Sequence, residues 1–287
     1  MTKRAYVIAL VLLLSLGSLM LGLRYMKGAP SSDIAYGSDI RNRLDVYAGS
    51  NCPAAGCPVM VAVHGGGWIG GDKIDFYHSR VAATLARQGL TLVVPNYRLA
   101  PANKHPAQIE DIALAIAWTY QNIKAYGGNP DRIYLMGHSA GAHLVALAGT
   151  NDYYLGRYNY KPEQLAGVIS LDTTSLDLER RAHIWGSDDE TRTNTFVSGS
   201  EHAASPFWHI SEGRAYPPFL LIAASDTAES VRQAGAMAAK LVNIGSKAQS
   251  TALPYDGDNS HMRIFLDLAS ASSAVSQRIA AFVSATP

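Results

Sequence analysis

Hydrophobic residues fall into short continuous runs that alternate with longer segments of helical spacing. Residues 58–64 and 90–95 are such runs, which are typical of strands buried on both faces. Residues 109–126 instead place apolar side chains on one face of a helix. The predicted strands are residues 43–47, 58–64, 90–95, 132–137, 165–171, 218–224 and 249–253, and the predicted helices are residues 81–87, 109–126, 139–149, 228–243 and 264–284. This alternation predicts the α/β class, with a mostly parallel sheet covered by helices on both faces.

One stretch departs from the alternation. Residues 173–210 carry charges and turn-forming residues with little periodicity. Long segments of this kind in compact domains are often functional. We therefore expect either a small lid beside a binding site or a solvated loop with short helices, within one folded domain that covers residues 29–287.

The N-terminal segment, residues 1–28, is predicted to be separate from that domain. Lys3 and Arg4 precede nineteen uncharged residues, 5–23, which would span roughly 28 Å as a helix, close to the thickness of a bilayer core. This length favours an uncleaved signal-anchor, with a cleaved signal peptide as the alternative and a buried soluble helix as a weaker one. Arg24 and Lys27 balance the charges on the other side, so the orientation is poorly determined. We expect the domain to be exported to the periplasm or the cell surface.

Composition excludes several classes of protein. Hydrophobic residues make up 48% of the chain and charged residues 16%, the opposite of the balance found in disordered proteins. Lys and Arg number 24 against 23 Asp and Glu, so no basic excess exists to bind nucleic acid. Two cysteines are too few for a disulfide-rich scaffold or a four-cysteine zinc site.

Those cysteines, Cys52 and Cys57, lie in a turn-rich stretch between two predicted strands. A loop of this length can bring two Cα atoms within the roughly 4.4–6.8 Å that a disulfide requires. The alternative is two unrelated free thiols. A metal site is not predicted, because no histidine or acidic cluster accompanies them. A disulfide would fit an oxidising compartment.

The sequence Gly-His-Ser-Ala-Gly at residues 137–141 lies between a predicted strand and a predicted helix. In this context the G-x-S-x-G pattern places a nucleophilic serine, here Ser139, on a sharp turn that exposes its hydroxyl. The helix that follows favours the negative charge that develops during attack on a carbonyl. The alternative is that Ser139 only caps the helix.

A second glycine motif, His-Gly-Gly-Gly-Trp at residues 64–68, follows an earlier strand. Successive glycines expose backbone N–H groups, as in a loop-built oxyanion hole. The predicted donors are the amides of Gly66, Gly67 and Ala140, and His64 is expected to form hydrogen bonds within the loop rather than act as the base. A phosphate-binding loop would need Lys-Ser or Lys-Thr after the glycines, and neither follows.

Together these motifs resemble the α/β-hydrolases of the esterase/lipase group that carry an HGGGW oxyanion motif, which includes hormone-sensitive-lipase-like carboxylesterases and kynurenine-formamidase-like enzymes. The resemblance runs from about Asp45 to the C-terminus. It extends to Asn-Tyr-Arg-Leu-Ala-Pro at residues 96–101 and to Asn-Pro-Asp-Arg-Ile at residues 129–133. The long N-terminal cap of the lipase-like branch is missing, which leaves the cover of the pocket and the substrate size open.

The resemblance implies that an acid and then a histidine follow Ser139 along the chain. Asp226, just past the strand at residues 218–224, is the predicted acid, and His261, after the last strand, is the predicted base. Asp172, Asp256 and Asp258 are rival acids. The other histidines are expected on the surface or in the lid, and they include His78, His105, His138, His143, His183, His202 and His209.

This arrangement implies a serine hydrolase that cleaves carboxylic esters through an acyl-enzyme, with no metal or organic cofactor. A small-molecule ester with a short acyl chain is the expected substrate, since the missing cap suggests an open pocket. A formamidase or amidase with the same triad is the alternative. A non-catalytic binding protein and a membrane-tethered structural protein are disfavoured, because neither needs both Ser139 and His261. The oligomeric state is not predicted.

Overall fold

A computed structural model describes residues 30–185, 189–255, 257 and 259–286. The predicted N-terminal segment, residues 1–28, lies outside the described residues, as do Asp256 and Asp258, two of the rival acids. Across the residues that are described, we find no helix with the length and apolar character needed to cross a membrane.

Eight strands form one sheet within the described residues. Strands β1 to β8 are Ser31–Ala35, Arg43–Tyr47, Cys57–Val63, Thr91–Pro95, Gly128–His138, Gly167–Leu171, Phe219–Ala224 and Ala248–Leu253. Their order is β1-β2-β4-β3-β5-β6-β7-β8. Strand β2 is antiparallel to β1 and β4, and every other neighbouring pair is parallel. The prediction of a mostly parallel sheet is confirmed.

The helices connect these strands. Helices α1 to α11 are Ile74–His78, Val81–Arg87, Ala107–Asn122, Ala140–Thr150, Asp152–Gly156, Leu178–Trp185, Glu190–Thr195, Glu201–Ala204, Ala228–Asn243, Ser260–Leu266 and Ala274–Ala285, with 3₁₀ turns at Ile123–Tyr126, Pro162–Gln164, Pro206–His209 and Asp267–Ala269. Parallel neighbours need crossover connections, and these helices supply them.

The sheet separates two hydrophobic cores, because alternate side chains of a strand point to opposite faces. On β3, Val59 and Val61 join the core that also contains Leu144 of α4. Met60, between them, joins the core that contains Leu85 of α2. Helices therefore cover both faces, as a strand without polar positions requires.

The structure differs from the prediction by more than a few residues at three places. Strand β1 was not predicted, because its residues are mostly exposed and show no apolar pattern. Strand β5 begins at Gly128, where Gly128 pairs with Cys57 of β3. The prediction started at residue 132, because residues 129–132 are polar or proline and show no strand pattern. The predicted helix 264–284 is two helices, α10 and α11, because Ser273 ends the intervening turn and caps α11 by accepting a hydrogen bond from the Ser276 amide.

Cys52 and Cys57 are joined by a disulfide. The bridge closes the turn that leads into β3. Of the two alternatives for these cysteines, the structure contains the bridged form.

Candidate active site

Ser139 lies on a sharp turn between β5 and α4. Its backbone has φ 57° and ψ −119°, a conformation that L-residues seldom adopt. A side chain at Gly137 would collide with the backbone of Gly141, and one at Gly141 would collide with the Val63 carbonyl. The amide of Ser139 donates to the carbonyl oxygen of Leu171 at 2.9 Å. The two glycines thus permit the turn, and a bond to β6 holds it.

His261 is the second residue of α10, and its imidazole borders the same cavity as Ser139. Its Nδ1 atom donates to Asp172 Oδ2 at 2.6 Å. The Asp172 side chain is completely buried, whereas 44% of the His261 side chain is exposed. The other carboxylate oxygen, Oδ1, accepts the amide of Ala224 at 3.0 Å. Asp172 is therefore a fixed anchor for one side of a solvent-facing imidazole.

The predicted acid, Asp226, requires correction, because the carboxylate that is hydrogen-bonded to His261 is that of Asp172. Asp226 follows β7 and is exposed, and its Oδ1 accepts a hydrogen bond from the Thr227 hydroxyl at 3.3 Å. Asp172, named above only as a rival, follows the neighbouring strand β6. The carboxyl ends of adjacent parallel strands lie at one edge of the sheet, so either strand can present an acid to the histidine loop. In this chain β6 does so.

The glycine loop lies directly against Ser139. A Cβ atom at Gly65 would be 3.1 Å from Cβ of Ser139. Gly66 and Gly67 have positive φ angles of 106° and 59°, and among the described residues no acceptor binds their amides. The amide of Ala140 belongs to the first turn of α4, where helical N–H groups have no partner within the helix. The structure thus brings the three predicted oxyanion donors near Ser139.

His64 supports this loop. Its ring stacks on Tyr97 with centroids 4.3 Å apart, and its Nδ1 forms a 2.7 Å hydrogen bond with the Gly65 carbonyl. The Tyr97 hydroxyl donates to the His64 carbonyl at 3.1 Å. Burial lowers the pKa of His64 to about 4. A neutral, enclosed imidazole of this kind is placed to shape the loop, in keeping with its predicted position.

The described parts of the segment 173–210, residues 173–185 and 189–210, contain helices α6, α7 and α8 and the 3₁₀ turn Pro206–His209, and they pack beside the glycine loop. Phe196 is buried against Trp68 and His143, with ring centroids 5.0 and 5.8 Å away. The Trp68 indole donates to His143 Nδ1 at 3.2 Å, and His143 Nε2 donates to the Ala204 carbonyl at 2.8 Å. Trp68, the residue after the glycines, is thus linked to this segment by two hydrogen bonds through the buried His143.

Two histidines that were expected on the surface or in the lid are buried in the body of the domain. His143 is fully buried in α4, and His138 at the end of β5 is 5% exposed. Burial lowers the pKa of His138 to about 4 and that of His143 to about 3. A sequence signal for their burial was available. Both lie within the run of small and apolar residues around Ser139, which is typical of a buried segment.

The site opens into a cavity of about 620 Å³, within the usual range for small-molecule sites. It is lined by His64, Gly65, Gly66, Gly67, Gly71, Asp75, His78, Ser79, His138, Ser139, His261, Met262, Phe265 and Leu266. Helix α1 contributes a polar wall and α10 an apolar one. Within the described ranges, no three His, Cys, Asp or Glu side chains are grouped so as to hold a metal ion.

Comparison with known proteins gives a family match over most of the chain. The BD-FAE family model matches residues 44–241. Esterase LipC of Mycobacterium tuberculosis is 38% identical over 128 residues, which are 44% of this chain and 31% of that protein. The isoprenylcysteine alpha-carbonyl methylesterase ICME of Arabidopsis thaliana is 38% identical over 149 residues, 52% of this chain and 34% of that protein. Esterase LipQ of M. tuberculosis is 33% identical over 248 residues, 78% of this chain and 55% of that protein. The chain thus spans about a third to about half of the length of these relatives.

Solved structures give the fold. Esterase B from Lactobacillus rhamnosis superposes with a TM-score of 0.71 at 18% identity, covering 98% of this chain and 97% of that one. The thermophilic carboxylesterase EstE1, cloned from a metagenomic library, gives 0.67 at 22% identity, covering 90% and 89%. These similarities confirm the α/β-hydrolase fold that the motifs implied.

Proposed function

Since the chain belongs to the BD-FAE family, we propose that it is a serine hydrolase that cleaves carboxylic esters through an acyl-enzyme. The family match also confirms the resemblance to the HGGGW-type esterase/lipase group. The observation that carries the proposal is the convergence, at one cavity, of Ser139, the Asp172–His261 pair and the amides of Gly66 and Gly67. Relatives named as esterases support it.

The mechanism follows from the position of each group. The Ser139 hydroxyl attacks the ester carbonyl carbon and gives its proton to His261, which passes it to the departing alcohol as the C–O bond breaks. Asp172 holds the proton on Nδ1 of His261, so that Nε2 is the basic nitrogen, and stabilises the imidazolium. The amides of Gly66, Gly67 and Ala140 bind the oxyanion, at about 2.7–4 kcal/mol per donor in comparable sites. A water molecule, deprotonated by His261, then releases the carboxylic acid.

The test is ester hydrolysis by a matched pair of serine variants. Ser139→Ala should lower turnover of p-nitrophenyl butyrate by at least about 1,000-fold and abolish labelling by a fluorophosphonate, because triad members act as a unit. Ser79→Ala is the control: Ser79 lines the same cavity, and its hydroxyl donates to carbonyl oxygens of α1, the helix that it follows. If Ser139→Ala hydrolysed the ester as fast as Ser79→Ala and the wild type, the proposal would be wrong. Formyl amides tested alongside the ester distinguish an esterase from an amidase.

The cavity walls suggest the form of the substrate. On α10, Met262, Phe265 and Leu266 offer an apolar surface beside His261, and on α1, Asp75 and His78 offer a polar one. We infer that a short acyl chain lies along α10 and that the alcohol part is small. The segment 173–210 serves as a small lid on the glycine loop: a Cβ at Gly67 would be 2.8 Å from Thr191 Cγ2.

The compartment is a further part of the proposal. The uncharged residues 5–23 suggest a membrane anchor or an export signal. The disulfide between Cys52 and Cys57 is of a kind that persists mainly in oxidising compartments. We propose a catalytic domain, residues 29–287, outside the cytoplasm and held at the membrane by the N-terminal segment.

A further inference from the structure

His138, the residue before the nucleophile, is part of the same backbone junction as the catalytic groups. It is the last residue of β5 and is paired with Leu171 of β6. Ser139 follows it and donates its amide to Leu171, and Asp172 follows Leu171. A group that is hydrogen-bonded to His138 therefore has its position fixed relative to both Ser139 and Asp172.

The group that His138 holds is the main chain of His261. His138 Nε2 donates to the carbonyl oxygen of His261 at 2.8 Å. The two rings lie 4.5 Å apart, and the Phe265 ring, one helical turn along α10, lies 5.6 Å from His138. Asp172 fixes the imidazole of His261 from the Nδ1 side, whereas His138 fixes the backbone that carries it.

The chemical state of His138 suits this task. The ring is buried and burial lowers its pKa to about 4, so it is neutral near pH 7. A neutral imidazole has one N–H group, and a bond to a carbonyl oxygen places that proton on Nε2. The ring therefore donates to α10 without adding a second positive charge beside the imidazolium that His261 becomes.

We propose that His138 is a positioning residue, which sets the distance from His261 to the Ser139 hydroxyl through its hydrogen bond to the His261 carbonyl. The proposal rests on the ester-hydrolase function proposed above. An error of about 1 Å in the placement of a catalytic group can cost roughly 100-fold in rate. The bond therefore acts on kcat and not on substrate binding.

Two variants separate the hydrogen bond from the bulk of the side chain. His138→Leu replaces the ring with an apolar side chain of similar size and removes the donor. His138→Gln places an amide N–H near the position of Nε2. With p-nitrophenyl butyrate, we expect kcat of His138→Leu to fall by about 10- to 100-fold with KM changed less than about twofold. Most of the loss should be recovered in His138→Gln.

A second measurement does not depend on turnover. The proton shared by His261 Nδ1 and Asp172 gives a low-field NMR resonance, which reports the position of His261 in the free protein. We expect this resonance to shift or broaden in His138→Leu and to stay near its wild-type position in His138→Gln. Thermal unfolding of both variants, followed by circular dichroism, shows whether the domain is intact.

Three outcomes would overturn the proposal. Unchanged kcat and an unchanged resonance in His138→Leu would show that the bond positions nothing. Equal losses in both variants would assign the effect to packing, and a raised KM at constant kcat would make His138 a substrate-binding residue. If the wild-type protein does not hydrolyse p-nitrophenyl butyrate, the proposed function fails, and the resonance in the two variants then decides the role of His138 by itself.

Discussion

Asp172 and His261 are joined by a 2.6 Å hydrogen bond between a buried carboxylate and a half-exposed imidazole. The acid thus follows β6, the strand next to the nucleophile strand β5. Its neighbour Leu171 accepts the amide of Ser139. Acid and nucleophile are consequently held by one pair of adjacent strands, and only His261 arrives from a distant part of the chain.

This relationship predicts different outcomes for two aspartates at neighbouring strand ends. Asp172→Asn should lower kcat by roughly 10⁴-fold, as loss of the acid does in a comparable triad, because the amide no longer fixes the tautomer of the imidazole. Asp226→Asn should leave kcat within about twofold, since Asp226 is exposed and bonded to Thr227. The measurement is kcat and KM for p-nitrophenyl butyrate, with circular dichroism to confirm folding.

The reverse result would restore the acid predicted from sequence. If Asp226→Asn lost activity and Asp172→Asn kept it, the β7 acid would have to reach His261 in the working enzyme. Equal loss in both variants would point to a shared effect on the edge of the sheet, which the unfolding curves would reveal.

Much of the fold could be predicted because its signals are local. Strand β3 is an uninterrupted apolar run, and helix α9 occupies Ala228–Asn243 as its pattern predicted. The turn at Ser139 could be placed for the same reason, since its two glycines are required by close backbone approaches. The sequence signals for such features lie within a few residues of the features themselves.

The choice of acid could not be predicted, because it depends on contacts across the sheet. Asp172 and Asp226 both follow apolar strands, and the sequence contains nothing that shows which of them His261 faces. The burial of His138 and His143 has the same origin: partners on α10 and in the segment 173–210, far along the chain, determine it. The sequence placed the start of helix α10 at residue 264, so His261 was expected in the loop before the helix, whereas α10 begins at Ser260.

The apolar wall on α10 is short, three side chains long among the residues that line the cavity, and this predicts a preference for short acyl chains. We expect kcat/KM for a C4 p-nitrophenyl ester to exceed that for a C16 ester by about tenfold, or about 1.4 kcal/mol of transition-state binding. Leu266→Trp should widen this ratio, because Leu266 lines the cavity and is 47% exposed. Val242→Trp, at an exposed position on α9, is the control for adding a surface indole. A C16 ester as the best substrate would contradict the open-pocket interpretation.

Buried neutral histidines predict a loss of stability in mild acid. Burial lowers the pKa of His64, His105 and His138 to about 4 and that of His143 to about 3, from 6.5. Near pH 5 the unfolded chain binds about three to four more protons than the native protein at these positions. The contribution of these histidines to the free energy of unfolding should therefore be complete above pH 6.5 and be lost toward pH 4, by about 5 kcal/mol per pH unit near pH 5. Urea unfolding at pH 7, 6 and 5 measures this slope.

One variant isolates the contribution of a single histidine among the four. His143→Gln keeps an acceptor for the Trp68 indole and a donor for the Ala204 carbonyl, the two bonds that His143 makes, but it does not titrate. Its slope near pH 5 should be about one quarter smaller than that of the wild type. A wild-type stability that stays flat from pH 7 to pH 5 would mean that these rings are protonated in the native protein.

The disulfide and the N-terminal segment together predict where the enzyme works. Protein from the native membrane fraction should have no free thiol, and protease added outside spheroplasts should digest the catalytic domain. Because the bridge closes a short loop, Cys52→Ser/Cys57→Ser should lower the free energy of unfolding by only about 2 kcal/mol on the chain-entropy estimate. The double variant should therefore stay active and serve as the control for thiol counting. Two titratable thiols in the wild type, with a domain fully protected from protease, would place the enzyme on the cytoplasmic side and end this part of the proposal.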